Sequence, residues 1–139
     1  MLQLRELKHL YSNEQVVLVL LSRLYFSTAT PSEVSEFIKH HAVDWQLLYK
    51  IARAHGVRPF IYYIISQNHI TVDPDFEARL QNDCKIAKLQ GMKKAGIISK
   101  LFNEFKNQGI IVIPYKGPVF AHSYYENIGL RESSDIDFI

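Results

Sequence analysis

The chain has a single cysteine, Cys84. An internal disulfide is therefore excluded, and the redox setting it suits is a reducing one. Long apolar runs are also missing. The longest aliphatic run, Val16 to Leu21, falls far short of the roughly 20 residues that a membrane-spanning helix needs. The N-terminus shows no charged-then-apolar leader ending in small residues. These absences lead to the expectation of a cytoplasmic protein that makes no use of a membrane. An excess of one charge is lacking as well: the net charge of +2 is too small to require a polyanionic partner by itself. No repeat, low-complexity tract or flexible linker is found.

What the chain does have is ordinary globular composition. Of its 139 residues 47% are hydrophobic and 22% charged, enough to build a core in one domain, or in one domain plus a piece of another. The first hundred or so residues read as helices. Ser12 with Gln15 makes a capping box for a helix running to about Tyr25. Thr30-Pro31-Ser32-Glu33 is a stronger start, with a cap, a proline in the first turn and a glutamate that reaches back; that helix ends near His40. Asp44 caps a segment with Trp45, Leu48, Ile51, Ala52 and His55 on one face, closed by Gly56 as a left-handed stop. Pro59 opens a short helix to about Gln67. Asp73-Pro74 then opens the longest one, with Phe76, Leu80, Cys84, Ala87, Ile97, Ile98, Leu101, Phe102 and Phe105 facing inward. Gly91 and Gly96 each weaken that helix by roughly 1 kcal/mol relative to alanine, so a bend or split is expected there. Gly109 ends it.

Along this helix lie Lys85, Lys88, Lys93, Lys94, Lys100 and Lys106, with Glu104 among them and Asp83 just outside. They form either a solvated surface or a basic face for RNA, triphosphate or another acidic partner. The histidines His9, His40, His41, His55, His69 and His122 show no metal-ligand spacing, and the aromatic residues read as packing rather than base-stacking groups.

After Gly109 the texture changes. Ile110-Ile111-Val112-Ile113 is a β-branched run suited to a buried strand. The Lys116-Gly117-Pro118 turn follows, then a helical stretch from about Pro118 to Tyr125. A second strand is expected from Ser134 to Ile139. The fold expected is α+β but mostly α. A helical domain over residues 1–108 precedes an incomplete strand, Lys-Gly turn, helix and strand over 109–139. Because the sequence stops within a strand, and two strands alone are marginal in water, it reads as truncated. Its unpaired strand edges are expected to drive self-association.

The sharpest chemical feature is Asp135-Ile136-Asp137. Residues two apart on a strand share a face, with backbones about 6.5–7 Å apart. Two carboxylates so placed can grip divalent cations roughly 3.5–4 Å apart, the arrangement used for in-line nucleotidyl or phosphoryl displacement. Taken alone the motif is weak, since it also occurs in solvated strand edges and in several classes of metal enzyme. About twenty residues earlier stands Lys116-Gly117, where a glycine bend into a helix lets backbone amides approach a phosphate. A simple tight turn would look the same. Arg131 could clamp triphosphate oxygens as a fork, or pair with Glu132 or an aspartate.

The segment from Gly109 through Lys116-Gly117, with Ala121, Tyr124-Tyr125, Gly129, Leu130-Arg131 and Asp135 to Ile139, resembles the uncharacterised nucleotidyltransferase family of the polymerase-beta-like superfamily. Trp45-Gln46-Leu47-Leu48 and Ile51 to Pro59 are similar to the helical region that precedes the catalytic fold there. The resemblance implies that Gly117 is the phosphate-binding glycine, and Lys116 and Arg131 are expected to hold the triphosphate with it. It implies that Asp135 and Asp137 are catalytic carboxylates holding Mg2+ or Mn2+. The activity implied is transfer of a nucleoside monophosphate from a nucleoside triphosphate to an acceptor, and neither the acceptor nor the preferred nucleotide is readable. Two departures stand out. Pro118 follows the glycine and removes one amide donor. The third carboxylate, expected on a later strand, is not in this sequence, so the chain itself is expected to be inactive.

Three other readings remain open. One is a phosphatase of the haloacid-dehalogenase type, disfavoured because Phe138 follows the aspartates where Thr or Val is usual. Another is a manganese-dependent glycosyltransferase. The third is a non-catalytic helical module that binds protein or nucleic acid through the lysine-rich helix.

Overall fold

The computed structural model describes residues 3–115, 130 and 136–139, and of Pro114 the backbone alone. The chain runs α1 (Leu4–Leu10), α2 (Asn13–Tyr25), α3 (Pro31–His40), α4 (Trp45–Ala54), α5 (Arg58–Gln67), α6 (Pro74–Asn107), β1 (Pro114–Tyr115) and β2 (Asp137–Phe138). Helix starts follow local chemistry. The Ser12/Gln15 and Thr30/Glu33 capping boxes form at the heads of α2 and α3. The Asp44 carboxylate accepts from the N–H groups of Gln46 and Leu47 at 2.9 and 3.0 Å. The Asp73 carboxylate accepts from the N–H of Phe76 at 2.9 Å. Gly56 and Gly109 close α4 and α6 at φ of 65° and 72°, a backbone region open to glycine at no steric cost. Helix α1 was not delimited by the sequence reading; its box is made by Gln3 and Glu6.

Helix α2 is the centre of the bundle, packed against α1, α3, α4 and α5. Val16, Val17, Leu20, Leu21 and Leu24 meet Val34 and Phe37 of α3, Leu48 and Ala52 of α4, and Ile61, Ile64 and Ile65 of α5 in one core. Full burial of each large aliphatic residue contributes about 1.5–3 kcal/mol. Phe76 and Leu80 carry the first turns of α6 into the same core, and Trp45 tilts against Phe76 with ring centroids 5.2 Å apart.

Three expectations need correction. Helix α6 is one continuous element of 34 residues, about 51 Å long, with no break at Gly91 or Gly96. Gly91 is buried. Second, Ile97, Leu101 and Phe102 are exposed and Cys84 is half-buried, because the closed core ends near Leu80 and only Ala87, Gly91 and Ile98 are buried further along α6. Third, residues 110–113 are not a buried strand. Ile111 is 93% exposed, and the paired strand is Pro114–Tyr115. Ile113 exchanges backbone bonds with Ile139 at the edge of this pair. The second strand is likewise shorter than expected, Asp137–Phe138. The helix expected from 118 to 125 and the strand residues 134 and 135 lie outside the described residues.

Candidate functional site

Strands β1 and β2 pair antiparallel, with Pro114 opposite Phe138 and Tyr115 opposite Asp137. The N–H of Ile113 donates to the carbonyl of Ile139 at 2.8 Å, and that of Ile139 to Ile113 at 2.9 Å. Hydrogen-bonded and non-bonded pairs alternate along such a ladder. Pro114 therefore falls at a non-bonded position, where its missing N–H forfeits nothing. The proline is compatible with the strand for that reason.

Directly opposed residues share a face, and successive residues alternate faces. Phe138 meets Phe105 of α6 edge-to-face at 5.7 Å, so the Pro114/Phe138 side of the ribbon turns towards the end of that helix. Asp137 and Tyr115 share the opposite side. Asp137 and its neighbour Ile136 are half-buried and Tyr115 is half-exposed. Leu130, one residue before Arg131, is buried.

Of the five site residues expected from the sequence, Asp137 is described. Asp135, Lys116, Gly117 and Arg131 lie outside the described residues. Asp137 is a hard oxygen donor of the kind Mg2+ takes. Among the described residues no three His, Cys, Asp or Glu side chains are close enough together to hold a metal ion.

Cys84, His41 and His55 read as structural. Burial pushes the Cys84 thiol up, with Lys88 pulling it slightly back, which leaves it protonated and unreactive near neutrality. His41 stacks on Phe37 at 4.1 Å and its Nδ1 lies 2.9 Å from the Phe37 carbonyl. His55 is exposed at the C-cap of α4, as its place beside the negative helix end favours.

One polar constellation escaped the sequence reading. Asp83 Oδ2 of α6 accepts from the Tyr49 hydroxyl of α4 at 2.7 Å and from Arg58 of α5 at 3.0 Å. Arg58 also donates to the Tyr49 oxygen at 3.0 Å. The Arg79 guanidinium lies over the Tyr49 ring, 3.9 Å from its centroid, and donates to Gln46 Oε1. The only signal in the sequence was the Arg79/Asp83 spacing of four on one helix, which does not reveal partners 25 and 34 residues away. An apolar groove lined by Leu18, Val19, Ser22, Arg23, Phe26 and Thr28 contains none of the candidate site residues. No described helix is long and apolar enough to cross a membrane.

The model of the uncharacterised nucleotidyltransferase family matches residues 41–139, from just before the Asp44 cap through α6 and β2. Neither a curated protein nor a solved structure matches the chain. With well over half of its length matched, the chain belongs to the uncharacterised nucleotidyltransferase family.

Proposed function

We propose that this chain supplies the nucleotide end of a metal-dependent nucleotidyltransferase, with residues 1–108 as a helical support and 109–139 as the opening part of the catalytic fold. The observation that supports this most is the register. Tyr115, bonded to Lys116 and two residues before Gly117, is the cross-strand partner of Asp137. The family match over the same residues supports it independently.

In this reading Asp135 and Asp137 hold Mg2+ or Mn2+. The bound ion neutralises triphosphate charge and lowers the pKa of the attacking group. Gly117 offers backbone without a side chain in the way, and Lys116 and Arg131 add positive charge to the triphosphate. Phe138, held by Phe105, keeps β2 fixed while Asp137 faces the other way.

Titration calorimetry with each nucleoside triphosphate, in magnesium and then in excess chelator, tests the reading. Magnesium-dependent binding should be lost in Asp135→Asn with Asp137→Asn, while the helical circular dichroism signal stays. Nucleotide binding that ignores both the chelator and the two substitutions would refute the assignment.

A further inference from the structure

Helix α6 presents its Ala87, Gly91 and Ile98 line to the protein. At about 100° per residue, Lys85, Lys88, Lys93, Lys100 and Lys106 fall outside that line, within an arc of about 140° that begins about 60° from Gly91 and runs across the opposite side. All five are exposed. The helical rise of 1.5 Å per residue spreads them over about 32 Å. The residues between them in this arc are Leu89, Met92, Gly96, Ser99 and Asn103, also exposed. No carboxylate lies in the arc. Glu104 sits just beside it and accepts from Gln108 Nε2 at 3.3 Å. Asp83 is turned to Arg58 on another side. Among the described residues no ion pair to a carboxylate engages any of these five lysines.

An extended face of cations without interspersed anions, longer than any small anion, is complementary to a chain of regularly spaced negative charges. We infer that this face of α6 binds the phosphodiester backbone of a nucleic acid. Ser99 and Asn103 add neutral hydrogen-bonding groups of the kind that meet phosphate and sugar oxygens. A lipid surface fits less well. Leu89 and Met92 are the only large apolar residues in the arc, and Gly96, Ser99 and Asn103 interrupt the continuous apolar strip that an interfacial helix buries. The inference does not depend on the nucleotidyltransferase reading, because it uses none of the residues assigned to nucleotide or metal.

The test is fluorescence anisotropy of a labelled 20-nucleotide oligouridylate with the whole chain across a salt series. If all five lysines engage phosphate, log K should fall with log salt at a slope of about −3.5. Changing the five to Glu should weaken binding at least tenfold, and changing them to Arg should retain it. Circular dichroism of both variants checks that α6 is intact. Triphosphate binding should be the same in all three proteins, which separates this surface from the proposed active site. Oligouridylate binding unaltered by the Glu variant would overturn the inference. So would equal displacement of the oligonucleotide by polyglutamate, or binding to phosphatidylserine vesicles without binding to oligouridylate.

Discussion

Glu14, in the first turn of α2, accepts the backbone N–H of Asp44 on its Oε1 at 2.9 Å, across 30 residues of sequence. Beside it, the Asn13 side-chain amide donates to the Ala42 carbonyl at 2.7 Å. The head of α2 thus grips the backbone that leads into α4. Glu14 is the only buried charged residue among those described. Burial pushes its carboxyl up. The N–H groups of Asp44 and Glu14 itself and the Ser12 hydroxyl outweigh this, so the net position is below the usual carboxylate range.

A depressed carboxyl pKa means that the unfolded chain takes up the proton more readily than the folded one. The stabilisation is therefore complete above the unfolded value, about 4.3, and fades as pH falls through the folded value. Glu14→Ala should cost about 1–3 kcal/mol at neutral pH. Urea unfolding of the two proteins at pH 7 and at pH 3 should show the gap shrinking in acid. A gap that stays constant would mean the carboxylate charge is irrelevant.

The Tyr49, Arg58 and Asp83 cluster clasps α4, α5 and α6 at a place where the apolar core has thinned. Both ends of the Arg58–Asp83 pair are mostly covered, at 18% and 16% side-chain exposure, so solvent screens it only partly. Asp83→Ala should destabilise by about 1–3 kcal/mol. Combined with Arg58→Ala, the losses should be non-additive by about 0.5–3 kcal/mol. Strict additivity in a double-mutant cycle would show that the two side chains act independently.

Two glycines of α6 and its end should respond to alanine with opposite signs. Gly96 is helical, and a Cβ there would meet nothing within 4 Å. Gly96→Ala should therefore stabilise by up to about 1 kcal/mol. Gly109 is equally uncrowded but sits at φ +72°, where alanine costs about 1–2 kcal/mol. Thermal melts of the two variants should move in opposite directions. A common direction would contradict the backbone argument.

Helix starts were legible because they are local events. The Ser12/Gln15 box, the Thr30-Pro31-Glu33 start and the Asp44 and Asp73 caps each close within three residues, so the sequence alone contains both partners. The strand limits were not legible. An apolar run at 110–113 shows that the chain can be extended, but pairing requires a partner, and the residues that pair are Pro114–Tyr115 with Asp137–Phe138. Of the candidate site, residue types and spacing could be read, and the segment that carries them falls within the residues that the family model matches.

The sequence by itself determined where most helices begin and end, the left-handed stops, the Asp-x-Asp spacing and the family, since each depends on residues close together or on their order. Only the tertiary structure decided that α6 runs unbroken, that Glu14 reaches Asp44, that Tyr49 and Arg58 share Asp83, and that Asp137 lies opposite Tyr115. These are contacts between distant residues. Their existence depends on how whole elements pack, which no local pattern of side chains specifies.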